Sequence, residues 1–228
     1  MDVKNSASVE PVAAGTPPLH AALIGDLVAS RSASSRGQVQ KALLAALERA
    51  GRLLPAEQRL EPTIGDEFQA VYATLGAAVT AGLLVRLCLP PGADARVGIG
   101  AGRYDVVGAS DYGLIQDGPA WWNARDAIDE LKRRERRQPG LRTWVHEGDV
   151  MNAYAMTRDH LVSRMDPRQR RLLLGRIEGR SQADLAEEEQ ISASAVSQSL
   201  RRSGATAVLD SLALLDSGLD SGFDAGVE

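Results

Sequence analysis

Two acidic positions offer the chemistry in this chain. Asp26 interrupts the apolar run Ala21-Ala22-Leu23-Ile24-Gly25-Asp26-Leu27-Val28, and a carboxylate in such surroundings is costly to bury unless something neutralises it. Further on, Gly65-Asp66-Glu67 lies between the β-prone segments Thr63-Ile64 and Phe68-Gln69-Ala70-Val71-Tyr72. Gly supplies positive φ and Asp tolerates it, so this is where a hairpin turns, presenting two adjacent carboxylates at a strand edge. Taken as a pair, Asp26 and Asp66 make a candidate magnesium site, because magnesium takes hard oxygen ligands, keeps several waters and completes its octahedron with phosphate oxygens.

The elements that must position these acids are legible in the apolar pattern. Leu19–Val28 reads as a central strand, continuous in apolar character. From Arg36 the spacing of Val39, Leu43, Leu44, Leu47 and Ala50 predicts a helix, with Gly51 as its stop and Leu54–Leu60 as a connection. After the hairpin, Leu75–Leu89 predicts a second helix ended by Pro90-Pro91-Gly92. Arg96–Gly102 predicts a strand whose three glycines leave room for another backbone or a ligand. Gly108–Gly118 reads as a polar loop, and Pro119 opens a helix through Trp122, Ala124, Ala127, Ile128 and Leu131. Trp121 and Trp122 would pack on the sheet or stack a base. The run Lys132–Arg137 would be a solvated helix end favoured by the macrodipole or a phosphate-binding patch. Leu141–Val145 predicts a last strand.

Length and composition bound the remaining choices. The 228 residues suffice for one substantial core and a small second domain, and the formal net charge of −4 argues against a chain coated in basic residues. The single cysteine, Cys88, lies in an apolar run and excludes an internal disulfide. The three histidines, His20, His146 and His160, have no partners at metal-ligand spacing. No apolar stretch reaches the roughly 20 residues needed to cross a membrane. Without a basic, apolar leader at the N-terminus, the expected location is the cytoplasm.

Leu23–Arg31, Ile64–Gln69, Arg96–Gly102, and Asp117-Gly118-Pro119-Ala120 with Ala124-Arg125 occur in an order that resembles the SatD family over roughly Leu19–Arg137. The same segments resemble a reduced palm domain of class III nucleotidyl cyclases and GGDEF diguanylate cyclases. That resemblance implies an α+β, ferredoxin-like palm with helices on one face of the sheet. It also implies magnesium ligands at Asp26 and Asp66, with the Leu27 carbonyl as a third, and a nucleotide ligand. Ser30 and the N–H groups of Val28–Arg31 would then receive phosphates, with Arg31 and Arg36 neutralising them, and Gly65, Glu67 and Arg125 would complete the nucleotide site. The catalytic version of the palm places Asn and Arg four residues apart on a helix. Here Asn123 and Arg125 are two apart and fall on different faces, and Trp121 occupies the Asn position when Arg125 sets the register.

The C-terminal region carries a different pattern. Asp166 caps a helix begun by Pro167 and ended by Gly179. Ser181 caps a second short helix, and Ser192 caps a third, Ala193–Arg202. Leu185, Ala186, Ile191, Val196 and Leu200 occupy the internal positions of a helix-turn-helix. Gln190 stands where the turn usually carries Gly, at a cost in left-handed geometry. The region resembles the promoter-reading part of sigma factors and response regulators. That implies Ser194, Ser197, Gln198 and Arg201 facing bases while Arg180, Ser192 and Arg202 contact phosphates.

The sequence thus divides into an arm (residues 1–18), a cyclase-like nucleotide-binding domain (19–150), a linker helix (151–165), an all-α helix-turn-helix domain (166–216) and an acidic tail (217–228). The expectation is a homodimeric DNA-binding regulator that senses a nucleotide with magnesium. The alternative is an enzyme, a nucleotidyl cyclase or nucleotide hydrolase working through Asp26 and Asp66.

Overall fold

The computed structural model describes residues 19–28, 36–63, 65–110 and 113–215. In chain order the elements are β1 (His20–Val28), α1 (Arg36–Leu53), β2 (Gln58–Pro62), β3 (Glu67–Tyr72), α2 (Leu75–Cys88), β4 (Asp94–Gly102), β5 (Asp105–Ser110), β6 (Gly113–Asp117), α3 (Pro119–Glu135) and β7 (Thr143–Val145). The helices α4 (Asp149–Arg164), α5 (Pro167–Ile177), α6 (Gln182–Glu188), α7 (Ala193–Arg202) and α8 (Ala205–Leu214) follow. The expected arm and tail, Ser30 and Arg31 lie outside the described residues, as does the side chain of Arg36.

The main sheet has the order β2-β3-β1-β4-β7. β1 is antiparallel to β3 and β4, β2 is antiparallel to β3, and β7 joins β4 in parallel. With α1 and α2 as the crossovers, β1 to β4 form the β-α-β-β-α-β unit of a ferredoxin-like palm, as expected from the sequence. The expectation of helices on one face is corrected. α1 and α2 cover the face of Leu23, Val97 and Ile99, while α3 covers the other, where Ala22 and Ile24 pack with Ala120, Ala124 and Ile128.

The glycines of β4 explain how α3 comes so close. A Cβ at Gly98 would lie 2.3 Å from the Ile128 nitrogen, and one at Gly100 would lie 2.2 Å from the Ala124 nitrogen. The room left in this strand is therefore taken by a helix backbone. Alternate residues face the opposite way, and Val97 packs on α2 at Gly82.

Several boundaries differ from the sequence reading. α1 runs through Gly51 to Leu53, because Gly costs a helix only about 1 kcal/mol and Leu54, beyond it, is still buried. Part of the expected connection 54–60 is β2, and the expected loop 108–118 contains most of the β5–β6 hairpin, a separate two-stranded sheet. The segment read as a linker lies in α4, which buries Asn152, Ala155, Arg158, Asp159 and Val162. The helices α5 to α8 share one continuous apolar cluster with α1 and α2, including Leu83, Leu84, Leu172, Leu173, Val196, Leu200, Val208 and Leu212. Each such fully buried side chain contributes on the order of 2 kcal/mol. Arg49 of α1 also bonds Glu178 at 2.7 Å. No helix among the described residues is long and apolar enough to cross a membrane.

Candidate functional site

Strand register decides what the two acids can do. Asp26 lies directly opposite Glu67 on β3 and Arg96 on β4, so these three share the α3 face. Asp66 is exposed in the turn, and its carbonyl accepts from the Leu27 N–H at 3.2 Å. The residue brought across from Asp26 is thus Glu67 rather than Asp66. Asp26 is 6% exposed, and both of its oxygens are engaged: Oδ1 accepts from Arg96 Nε at 2.7 Å and Oδ2 from Lys132 Nζ at 2.8 Å. Each Asp26 oxygen thus already meets a cation, which a magnesium ion would have to displace or share. Among the described residues no cluster of three His, Cys, Asp or Glu could hold a metal ion. The residues as arranged do not fit magnesium.

Asp26 instead begins a chain of ion pairs that turns around the end of the sheet. Arg96 Nη1 donates to Glu135 at 2.9 Å, and Arg142 Nη1 donates to the other oxygen of Glu135 at 2.8 Å. Arg142 Nε reaches Asp94 at 2.9 Å, and Arg86 bridges Asp94 to Asp159, both at 2.8 Å. Arg158 closes the chain on Asp159 at 2.8 Å and on the Val79 carbonyl at 3.0 Å. Arg86, Arg158 and Asp159 are at most 1% exposed. Such buried charges are tolerable only because each is paired and hydrogen-bonded.

Proton affinities in the chain follow these contacts. Burial alone would raise the Asp94 carboxyl, but Arg86, by charge and hydrogen bond, and then Arg142 hold it below the ordinary range. The Arg86 guanidinium, disfavoured by burial, is held charged by Asp159 and Asp94. Arg170 of α5 is pulled down by burial, opposed by Asp94 and reinforced by Arg86 and Arg142, which places the start of the trihelical unit beside the same network. The run Lys132–Arg137 is in part the solvated helix end expected, with Arg133, Arg134, Arg136 and Arg137 exposed, and in part something that neither reading foresaw. Lys132 and Glu135 belong to the network, while Arg134 sits 4.0 Å over the Trp144 ring.

One pleat from Asp26, the same face opens into a cavity of about 580 Å³. Its floor is Ile24 and Gln69, opposed across β1 and β3. Its walls are Trp121, Trp122, Arg125 and Asp126 of α3, with Gln116 from β6. Trp121 is 9% exposed and Trp122 57%. The Trp122 indole N–H donates to Asp117 Oδ1 at 2.6 Å, which fixes its ring at the mouth. Arg125 is exposed and lies 3.4 Å from Glu67. Asn123 points elsewhere, donating to the Ala101 carbonyl at 2.9 Å, so the different faces expected of Asn123 and Arg125 are observed. Sequence reasoning placed Arg125 and Glu67 near a site and raised Trp121 and Trp122 as possible base contacts, but missed Gln69, Gln116 and Asp126, which carry no motif.

At the other end of the chain, the caps expected at Asp166, Ser181 and Ser192 are present, the first two as full capping boxes. Gln190 takes φ 55°, the left-handed turn residue anticipated between α6 and α7. Val196 and Leu200 are buried, whereas Ser194, Gln198, Arg201 and Arg202 are exposed and Ser197 is half-buried. Two of the residues expected to contact phosphate also have structural duties. Arg180 is held by Glu178 and Glu188, pinning α6 to α5, and Ser192 Oγ accepts from the Ala195 N–H at 3.1 Å and meets Ser194 Oγ at 2.9 Å.

Some known structures bear a distant likeness to this chain. The active GGEEF domain of a diguanylate cyclase from Vibrio cholerae is 11% identical, covering 57% of this chain and 83% of that one with a TM-score of 0.39. The guanylyl cyclase domain of the RhoGC fusion protein from the aquatic fungus Blastocladiella emersonii is 12% identical, covering 49% and 73% with a TM-score of 0.33. A regulator of polyketide synthase expression from Bifidobacterium adolescentis is 17% identical, covering 83% and 72% with a TM-score of 0.25. No curated protein matches the sequence. The SatD family model matches residues 20–211, from the first strand through most of α8, and the chain belongs to the SatD family.

Proposed function

We propose that this protein is a DNA-binding regulator that reads the major groove with α7 and carries a small-molecule site on the α3 face of its sheet. The observation that carries this reading is the division of α7. Val196 and Leu200 are sunk in the trihelical core, while Ser194, Gln198 and Arg201 face outward on the opposite side. A short helix held at that angle by a second helix and a tight turn is the geometry of a groove reader. Gln198 pairs a donor with an acceptor, which suits an adenine edge, Arg201 offers two donors, which suit the guanine acceptors, and Arg202 offers a cation for the backbone. As a pair of copies the protein would read two half-sites one helical turn apart.

The sheet domain supports sensing over catalysis, because Asp26 is neutralised by Arg96 and Lys132 and Asn123 is committed to Ala101. Selection from a randomised duplex pool with the full chain, followed by anisotropy on the enriched duplex, tests the reading. The expected result is an enriched, two-fold motif. Gln198→Ala with Arg201→Ala should weaken it at least about tenfold, each base contact being worth roughly 1–3 kcal/mol. Arg202→Ala should weaken all duplexes alike and lower the salt slope by about 1. No enrichment, or unchanged affinity in the double variant, would remove α7 as the reading helix.

A further inference from the structure

α4 and α8 lie side by side and antiparallel, and two contacts fix their register. A Cβ at Gly204 would lie 3.0 Å from the Leu161 side chain, and Ser211 Oγ lies 3.2 Å from the Tyr154 hydroxyl. Seven residues forward on α8 are thus seven back on α4. One further turn brings Leu214, at the end of α8, beside Val150 in the first turn of α4. At 89% and 83% exposure these are the two most exposed large apolar side chains among the described residues. The surface around them is poor in charge. The exposed positions of α8 are Thr206, Ala207, Asp210, Ala213 and Leu214, so Asp210 is its one charge. On α4, Val150, Ala153 and Thr157 follow one exposed stripe, with Asp149 before it and His160 after it. The exposed side of α3, by contrast, carries Arg125, Asp126, Asp129, Arg133 and Arg134.

We propose that the α4–α8 face is the surface through which a second copy of this chain pairs with the first about a two-fold axis. Such a pairing sets the same patch against itself, so every charge on it meets its own kind, and a face nearly free of charge is what self-pairing requires. Ala153, Ala207 and Ala213 also let the helices of two copies approach closely. The area sets the strength. Helices of about 24 and 15 Å lying about 9 Å apart give a footprint on the order of 400 Å² on each copy, near half of the roughly 800 Å² that each partner of a stable complex buries. The pair is therefore weak in free solution. Its use rests on the reading of DNA by α7: a two-fold site holds two copies side by side, and the raised effective concentration turns a weak contact into a cooperative one. α8 follows α7 through the left-handed Gly204 and shares its apolar core, so a contact through α8 also sets the spacing of the two reading helices.

Sedimentation velocity of the full chain over a wide range of concentration, without DNA, tests the pairing. The expected result is a reversible equilibrium between monomer and dimer. Val150→Glu with Leu214→Glu sets carboxylates against each other across the axis and should weaken the dimer at least about tenfold, while Tm stays close to wild type because both side chains already stand in solvent. Ala153→Glu, on the same stripe, should do the same and serves if the double variant folds poorly. A monomer at every concentration, or a dimer that both variants leave intact, overturns the proposal. Leu219→Ser with Phe223→Ser should leave the equilibrium unchanged; if that variant gains a dimer the wild type lacks, residues 216–228 cover the face in place of a second copy, and the proposal falls. Failure of the reading helix is scored apart from this. Gln198→Ala with Arg201→Ala should lose duplex affinity with its dimer intact in sedimentation, whereas Val150→Glu with Leu214→Glu should lose the cooperativity of binding to a two-fold duplex and keep its affinity for a half-site.

Discussion

The two faces of the main sheet are built by opposite means. On the α1–α2 face, Leu23, Phe68, Leu83, Leu84 and Ile99 are fully buried and fill the space between strand and helix with side chains. On the α3 face the strands give up side chains, and Gly98 and Gly100 let a helix backbone lie directly on β4. Beside α3 that face carries a cavity lined by Trp121, Trp122, Arg125 and Asp126, and at its end lie Asp26 and Arg96. One face draws stability from volume, the other from contact between backbones. The parity of a residue in β1 or β4 decides which regime it joins.

Single substitutions can break that contrast, and the largest effect should come from adding atoms where none fit. Gly100→Ala places a methyl 2.2 Å from the Ala124 nitrogen, and since a helix backbone cannot rotate aside, the expected loss is at least about 4 kcal/mol in urea denaturation. On the other face removal is what hurts: Leu83→Ala should cost about 3 kcal/mol by leaving a cavity. A neutral Gly100→Ala would show that α3 does not pack backbone to backbone.

The seam of ion pairs joining the faces gives the next test. Asp159→Asn takes the charge from between Arg86 and Arg158, both fully buried, and should cost about 3 kcal/mol, because an unmatched buried charge is worse than none. Were the variant as stable as the wild type, the seam would be decoration rather than a join.

The smallest effect is a matter of pH. Against the upward pull of burial, Arg86 and Arg142 hold the Asp94 carboxyl below the ordinary aspartate range. The unfolded chain therefore binds this proton more readily than the folded one, so the contribution is fully present above about pH 4 and is lost as pH falls through the folded value. Urea midpoints measured from neutrality down to about pH 3 should fall steeply in the wild type and less steeply in Asp94→Asn. Parallel curves would count against the Arg86–Asp94–Arg142 arrangement.

The parts of this fold that were legible in sequence are those fixed by local physics. β1 was found by its continuous apolar run, α2 by its stop at Pro90-Pro91-Gly92 and α3 by Pro119 in its first turn, and the three C-terminal caps because Asp and Ser carry their own hydrogen-bond acceptors into the first turn. Even the left-handed Gln190 was visible, since the helix-turn-helix spacing leaves that position no other conformation. β2 and the β5–β6 hairpin were missed because Gln58–Pro62 and the Gly108–Asp117 stretch are polar, and their strand character comes from pairing instead of burial. The site was half legible. An acid in an apolar strand announced a partner, but which partner depends on Arg96 and Lys132, brought in by register and by the crossing of α3. The cavity lining of Gln69, Gln116 and Asp126 has no sequence signature, because a lining is a property of the packed molecule.

The apolar cluster shared by α1, α2 and the C-terminal helices bears on how such a protein can change over evolutionary time. A reading head joined by a free linker can be exchanged for another by recombination, since nothing on its partner records its shape. Here α2 backs the sheet with one side and seats α5 with another, so a transplanted head would have to match a surface already constrained from behind. Drift in the one half must be answered in the other. The two inherit together, and on the proposed DNA-binding reading new operator preferences would arise by substitution along α7 more readily than by swapping the module.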